Sequence, residues 1–321
     1  MIIVRFSSGL GNQMFQYSFY RFLKTLYKDT EVKADLTWFY SNNDHHGYEL
    51  QRIFGKSDDT FFNVEEASKA ELFKVTGLIP NLFKWKRFEQ IRRYPNRIIR
   101  EFTQKKREPY IIDQLNGRYD NDDASDGSNE LYKLVTGLDT GKDWYIMGFW
   151  IEEKYLRGRL EGIRRHFRFP DFTDDRNIKY MEHIRGCNSV SLHVRRGDYL
   201  SSMYSDMFVA LDREYYEKAV NYIKERVEDP YFFVFSDDGD FVGKEFEWLD
   251  NKEIVEGNEG EESFRDMQLM SLCKHNIIAN STFSQWGALL NENEDRIVVY
   301  PKAYLKDKDN ELKEFEGWVR L

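Results

Sequence analysis

Residues 191–199 read Ser-Leu-His-Val-Arg-Arg-Gly-Asp-Tyr, or SLHVRRGDY. A short apolar run enters a histidine, two adjacent arginines and an aspartate, which is the pattern of a buried strand that ends in a polar loop. Two neighbouring guanidiniums repel each other, so the loop calls for an anion between or beside them. Downstream the chain alternates regularly. Strands are expected at 189–194, 231–235, 253–255, 276–279 and 296–300, and helices at 212–227, 241–248, 263–273 and 282–290. Alternation of this kind specifies an α/β fold with a mostly parallel sheet covered on both faces.

The first half opens in the same way. Residues 2–6 form an apolar strand, Ser7 to Asn12 a loop, and Phe15, Phe19, Phe22, Leu23 and Leu26 mark one face of a helix that Asn12 is placed to cap. A second strand at 31–35 completes a βαβ opening. Between 50 and 140 the pattern is irregular. A helix is expected at 65–73, the segment 84–107 carries ten Lys and Arg residues, 117–130 reads as an exposed acidic loop, and a strand returns at 144–150. With 321 residues, two domains are expected, 1–150 and 151–321.

The bulk composition narrows the function. A net charge of −9, with charges spread along the chain, excludes the global basic field of a nucleic-acid binder. Cys187 and Cys273 form no CxxC or Cys/His spacing, so no zinc or disulfide framework is expected and a reducing cytosol fits. The N-terminal apolar run is too short for a signal peptide, and no stretch reaches the roughly 18 apolar residues of a membrane span. At most, contact with a membrane surface is expected.

In a parallel sheet, ligands bind at the carboxyl ends of the strands. That rule selects His193 to Asp198, then Ser236-Asp237-Asp238, then Asn280-Ser281-Thr282-Phe283-Ser284. Each has an ordinary reading: surface charge, a helix start, a helix cap. Together they put two fixed cations, three hydroxyls and two carboxylates on one rim. Arg195 and Arg196 suit phosphate oxygens, Ser281, Thr282 and Ser284 sit where helix N–H groups favour an anion, and the carboxylates suit a base or a ribose. A nucleoside diphosphate matches this set. The N-terminal loop SSGLGNQ adds Gly9 and Gly11, the start of a dinucleotide fingerprint whose third glycine is replaced by Met14.

Three segments, SGLGNQMFQYSFYRFL at 8–23, HVRRGDY at 193–199 and DMQLMSLCKHNIIANSTFSQWGALL at 266–290, resemble the signature segments of the inverting α-1,2-fucosyltransferases of bacterial type, glycosyltransferase family eleven. YELQRIFG at 48–55 and GFWIEEKYL at 148–156 are similar as well. The resemblance runs in order from residue 1 to about 300 and is weakest between 56 and 140. It implies a GT-B architecture of two Rossmann-like domains facing a cleft, GDP-fucose as donor, no metal or other cofactor, and a galactose-type acceptor in an oligosaccharide or lipid-linked glycan.

By the same resemblance, Arg195 holds the diphosphate, and His193 and the Asp237/Asp238 pair help recognise guanosine. Asn280, Ser281, Thr282 and Ser284 line the donor site, and Gly11, Asn12 and Gln13 border the cleft. The chain departs from the family where Gln285 replaces the first of two tryptophans, where Ser7-Ser8 replaces a glycine pair, and in GFWIEEKYL, all of which bear on the acceptor. For the proton acceptor, Asp198 and Glu153 are candidates beside the alternative of neither. Asp-x-Asp triplets at 120–122, 238–240 and 307–309 are expected by chance in an acidic chain.

Three other readings remain open: another GDP-deoxysugar as donor, a dehydrogenase using the Gly9/Gly11 loop, and a carbohydrate-binding protein without catalysis. The aromatics of the basic segment 84–107 pack inward, or else contact anionic lipid.

Overall fold

The computed structural model describes residues 1–41, 46–55, 62–83, 86–99, 111–113, 130–197, 209–302 and 315–321. Asp198, the acidic loop 117–129 and the triplets at 120–122 and 307–309 lie outside them. Contact density divides the chain into Met1–Arg168 and Phe169–Leu321, each with its own parallel sheet.

In the first unit β1 (Ile2–Arg5), β2 (Val32–Asp35), β3 (Ile111–Asp113) and β4 (Trp144–Met147) form a sheet in the order β2-β1-β4-β3, all pairs parallel. Helix α1 (Leu10–Leu26) is buried along most of its length because Met14, Phe15, Phe19, Phe22 and Leu23 fill the core. It begins two residues before Asn12, with Gly9 as N-cap and no side-chain cap. Asn12 thus lies inside the helix and donates from Nδ2 to Ser8 Oγ at 2.9 Å.

Two short helices, α2 (Leu50–Phe54) and α3 (Lys69–Thr76), follow β2. The latter starts later than the expected 65–73, because the backbone at 65–67 pairs with β2 instead: Ala34 N–H donates to Glu65 O and Ala67 N–H to Ala34 O, each at 2.8 Å. Ser68 and Glu71 then cap α3 reciprocally. Helices α4 (Lys86–Ile99), α5 (Glu130–Thr136) and α6 (Leu160–His166) complete the unit.

The division after Arg168 falls beyond the 150/151 boundary suggested by the sequence, and the reason is aromatic packing. Trp150 stacks on Phe19 with ring centroids 3.7 Å apart, Tyr155 meets both Phe19 and Phe22, and Phe167 packs on Tyr17 and Phe54.

The second unit contains α7 (Asp175–Gly186), β5 (Asn188–Val194), α8 (Arg213–Lys224), β6 (Pro230–Ser236), α9 (Gly239–Glu245), β7 (Lys252–Ile254), α10 (Phe264–Leu272), β8 (His275–Ile277), α11 (Thr282–Leu289), β9 (Val298–Tyr300) and β10 (Val319–Arg320). Its sheet runs β10-β9-β8-β5-β6-β7 with every pair parallel. Strand β5 is buried on both faces, as its apolar run requires. From β5 the chain steps to β6 and β7 on one side, then crosses to β8, β9 and β10 on the other. The order therefore reverses between β5 and β8, the place where an open α/β sheet leaves a crevice at its carboxyl edge. Among the described residues, no helix is long and apolar enough to cross a membrane.

A buried polar network ties α7 to α10. Asn177 and Asn258 exchange amide hydrogen bonds, Asn177 donates to Asp174, and Asn258 Nδ2 donates to Asp266 Oδ1 at 2.8 Å. Burial pushes the Asp266 carboxyl up to about 7, against the opposing effects of Asn258 and Arg176. Because its folded value is raised, the stability linked to Asp266 is present below its unfolded value near 3.8 and is lost as pH rises through about 7. We expect Asp266→Asn to flatten the decline in unfolding free energy across that window by about 4 kcal/mol. Urea titrations of both proteins at a series of pH values test this, and parallel pH profiles would contradict it.

Candidate active site

The reversal between β5 and β8 brings together three loops that the sequence singled out. His193 is the penultimate residue of β5, and its ring lies 6.0 Å from that of Phe283 on α11. The imidazole is 5% exposed, and its Nδ1 has no hydrogen-bond partner. Burial first, and Arg195 second, push its pKa down to about 3, although Asp237 opposes them. It is therefore a neutral ring at physiological pH, able to accept a hydrogen bond at one nitrogen and donate at the other.

The anion beside the two arginines comes from the neighbouring strand. Residues 194 and 236 pair across β5 and β6, which sets Asp237 against the loop that leaves β5. Its Oδ1 accepts from Arg196 N–H at 2.9 Å and its Oδ2 from Gly197 N–H at 3.1 Å, while Arg195 Nη1 lies 3.0 Å from Oδ2. Gly197 suits this approach, because a Cβ there would stand 2.8 Å from Asp237 Oδ2 and the carboxylate would have to move. The Arg196 guanidinium lies over the Phe241 ring at 3.5 Å, with Nε 3.6 Å from Asp238 Oδ2. Asp238 also caps α9, accepting from Phe241 N–H at 3.1 Å. The first carboxylate clamps a loop and the second starts a helix, two roles that the sequence did not separate from base recognition.

On the other side of the crevice Ser281 caps α11, accepting from Phe283 N–H at 3.3 Å. Ser284 Oγ donates to Ser281 O at 3.2 Å, Thr282 is buried in the first turn, and Asn280 donates to Val209 O at 2.8 Å. These residues open the N-terminal end of an eight-residue helix beside His193. One turn further on, Gln285 is 1% exposed and neither polar atom of its amide has a hydrogen-bond partner.

The first-unit candidates are arranged differently. Gln13 Nε2 donates to Ser8 O and to Gly47 O, each at 2.8 Å, and its Oε1 accepts from Glu49 N–H at 2.9 Å. It therefore ties two loops together. Gly11 is buried within α1. Ser8 adopts φ 67°, a left-handed conformation held by Asn12 and Gln13. Glu153 begins a short 3-10 turn and pairs with Arg157 at 3.7 Å.

Glu49 was not among the expected site residues. It is 3% exposed, lies 2.9 Å from Arg52 and accepts from Leu10 N–H at the start of α1, and burial pushes its carboxyl up to about 7. Nothing in YELQRIFG marks that glutamate as buried, because its burial follows from the folding of residues 47–49 onto α1. Among the described residues, no three His, Cys, Asp or Glu side chains group as a metal site.

Two parallel-sheet Rossmann-like units, with paired arginines and a helix N-terminus at the switch point of the second, define a glycosyltransferase fold of the GT-B class. The chain belongs to glycosyltransferase family 11, whose profile matches residues 86–320. It is 31% identical to an α-1,2-colitosyltransferase of Escherichia coli over 100% of this chain and 99% of that protein. Over 42% of this chain and 35% of the other, it is 31% identical to galactoside α-(1,2)-fucosyltransferase 1 of Sus scrofa. Among solved structures, a mutant Arabidopsis thaliana FUT1 in complex with GDP superposes with a TM-score of 0.50 at 9% identity, covering 98% of this chain and 76% of that one, a likeness of fold alone.

Asp237 is the residue on which the arginine loop rests. We expect Asp237→Ala to lower unfolding free energy by about 1–3 kcal/mol, because it removes the carboxylate that two backbone N–H groups donate to. Chemical denaturation reads this, and an unchanged midpoint would refute the clamp.

Proposed function

We infer that this family 11 glycosyltransferase uses a nucleotide-sugar donor and a glycan acceptor. We propose that it transfers L-fucose from GDP-fucose, with inversion, to the 2-hydroxyl of a galactose unit. The observation that carries this reading is the arginine loop at the switch point, clamped by Asp237 beside a neutral, buried His193. The similarity to a galactoside α-(1,2)-fucosyltransferase supports the sugar and the linkage.

In this reading Arg195 lies against the β-phosphate. As the bond between the anomeric carbon and the phosphate oxygen breaks, charge grows on the departing GDP, and the guanidinium and the amides of α11 neutralise it. This electrostatic assistance takes the place of a divalent cation. His193, neutral and with Nδ1 open, meets a polar edge of the base or ribose. The acceptor oxygen forms the new bond from the opposite face, and its proton passes to a carboxylate, Asp198 or Glu153, or to solvent. Arg196, fixed on Phe241 and paired with Asp238, shapes the loop around the diphosphate.

Arg195→Ala should lower turnover on the order of a hundredfold, or about 3 kcal/mol, and weaken GDP binding, with Arg195→Lys recovering only part. Near-normal turnover in Arg195→Ala would remove the leaving-group contact. Calorimetry with GDP, UDP, ADP and NAD in EDTA tests the nucleotide. Selective GDP binding is expected, and a preference for NAD would favour the dehydrogenase reading instead. Activity should persist in EDTA, and its loss with rescue by manganese would overturn metal independence.

The full-length similarity to a colitosyltransferase favours one second reading, the same chemistry with a different GDP-linked deoxysugar. A donor panel against a single galactoside acceptor separates the two.

A further inference from the structure

Helix α4 is oriented opposite to an ordinary amphipathic surface helix. Its inward face is polar. Asn96, 6% exposed, accepts from Ile79 N–H at 2.8 Å and donates to Ile79 O at 2.9 Å, and Arg92 donates to the same carbonyl at 3.3 Å. Glu89, one turn earlier on that face, bonds Ser41 and pairs with Arg92 at 3.9 Å. The spacing of Glu89, Arg92 and Asn96 is i, i+3, i+7, so these residues consume the side that packs on the unit.

The same spacing places Ile91, Tyr94 and Ile98 together on the outside. They are 57%, 74% and 41% exposed, and Leu82 and Phe83, immediately before the helix, are 41% and 56% exposed. Phe83 stays beside the helix through an edge contact with Phe88 at 5.0 Å. Exposed Arg87, Arg93 and Arg97 flank this apolar row. Over its fourteen residues α4 carries five cations and one carboxylate, in a chain whose net charge is −9.

We propose that the outward face of α4, with Leu82 and Phe83, docks the protein on an anionic lipid surface. The apolar row enters the headgroup boundary and the arginines meet lipid phosphates, the combination by which an amphipathic helix lies in an interface. Nucleic acid fits less well, because Ile91, Tyr94 and Ile98 stand at the centre of the face and contribute nothing to a phosphate backbone. A second copy fits less well too, since a two-fold contact would set arginines against arginines. The inference is independent of the donor site. It would place the enzyme where a lipid-linked glycan acceptor is presented.

The test is sedimentation of the full chain with phosphatidylcholine vesicles, with and without phosphatidylglycerol, in the absence of nucleotide. Binding to the anionic vesicles alone is expected. At about 1 M salt, where screening shortens electrostatic reach to about 3 Å, it should fall sharply. Arg93→Gln with Arg97→Gln should weaken partitioning on the order of 30-fold, at about 1 kcal/mol per arginine, and Ile91→Ser with Tyr94→Ser should weaken it further at high salt. Lys218→Gln on α8, exposed on the other unit, should leave it unchanged. Because the substituted side chains are exposed, unfolding midpoints should match the parent. Absence of binding at low salt, equal partitioning by the α4 variants, or a dimer that ignores vesicles would each overturn the proposal. Nucleotide calorimetry on the same preparation reports separately on the donor site.

Discussion

The carboxylate of Asp237 sets the geometry of the second unit's working edge. Two adjacent guanidiniums cannot be fixed near one another without a countercharge, and the parallel register of β5 and β6 delivers one where it is needed. One carboxylate takes two backbone N–H groups and one arginine edge. The loop conformation and the position of the Arg195 guanidinium are consequently the same event. Gly197 suits this arrangement, since a Cβ there would press on the carboxylate and make it move. Arg196 is directed away onto Phe241 and Asp238, which leaves the two arginines with different surroundings despite their adjacency.

The charge state of His193 depends on the same arrangement. A strand buried on both faces removes water from the ring, and Arg195 makes a second positive charge there still less favourable. The result is a polar ring that stays neutral through physiological pH. Gln285 is a second polar group with unmet hydrogen-bonding capacity, on the helix across the crevice. Unpartnered buried amides carry a cost of about 1–3 kcal/mol. Here one stands beside the serines that begin α11.

The alternation of strand and helix was legible because its periodicities are local: β5 reads as a buried strand and α8 as a helix from residues that are sequence neighbours. SLHVRRGDY likewise announced an anion. The sequence could not show that the first anion would be Asp237, which lies on the next strand and becomes a neighbour only through pairing. Asn12 looked like a helix cap because Asn is a good one, yet the chain turns into α1 at Gly9 and places Asn12 inside, against Ser8. Gln13 and Glu49 were opaque for the same reason, their partners being made by loop packing. The packing of Trp150, Tyr155 and Phe167 onto α1 and α2 was equally hidden, because their aromatic partners there are more than a hundred positions away.

The helix α4 shows the limit of pattern reading most directly. Its alternation of cations and apolar residues is compatible with either face turned inward, and burial of the apolar face is the usual outcome. What reverses it is Ile79, a residue of the preceding loop, whose backbone N–H and C=O both lack a strand or helix partner and are satisfied by Asn96 and Arg92 instead. Satisfying a backbone amide and carbonyl with a buried Asn fixes the rotation of the helix. Once that rotation is fixed, Ile91, Tyr94 and Ile98 must face outward, whatever the cost of their exposure to water. The apolar surface of α4 is therefore a consequence of backbone hydrogen bonding on its opposite side, and the arginines around it give that surface its preference for negative charge.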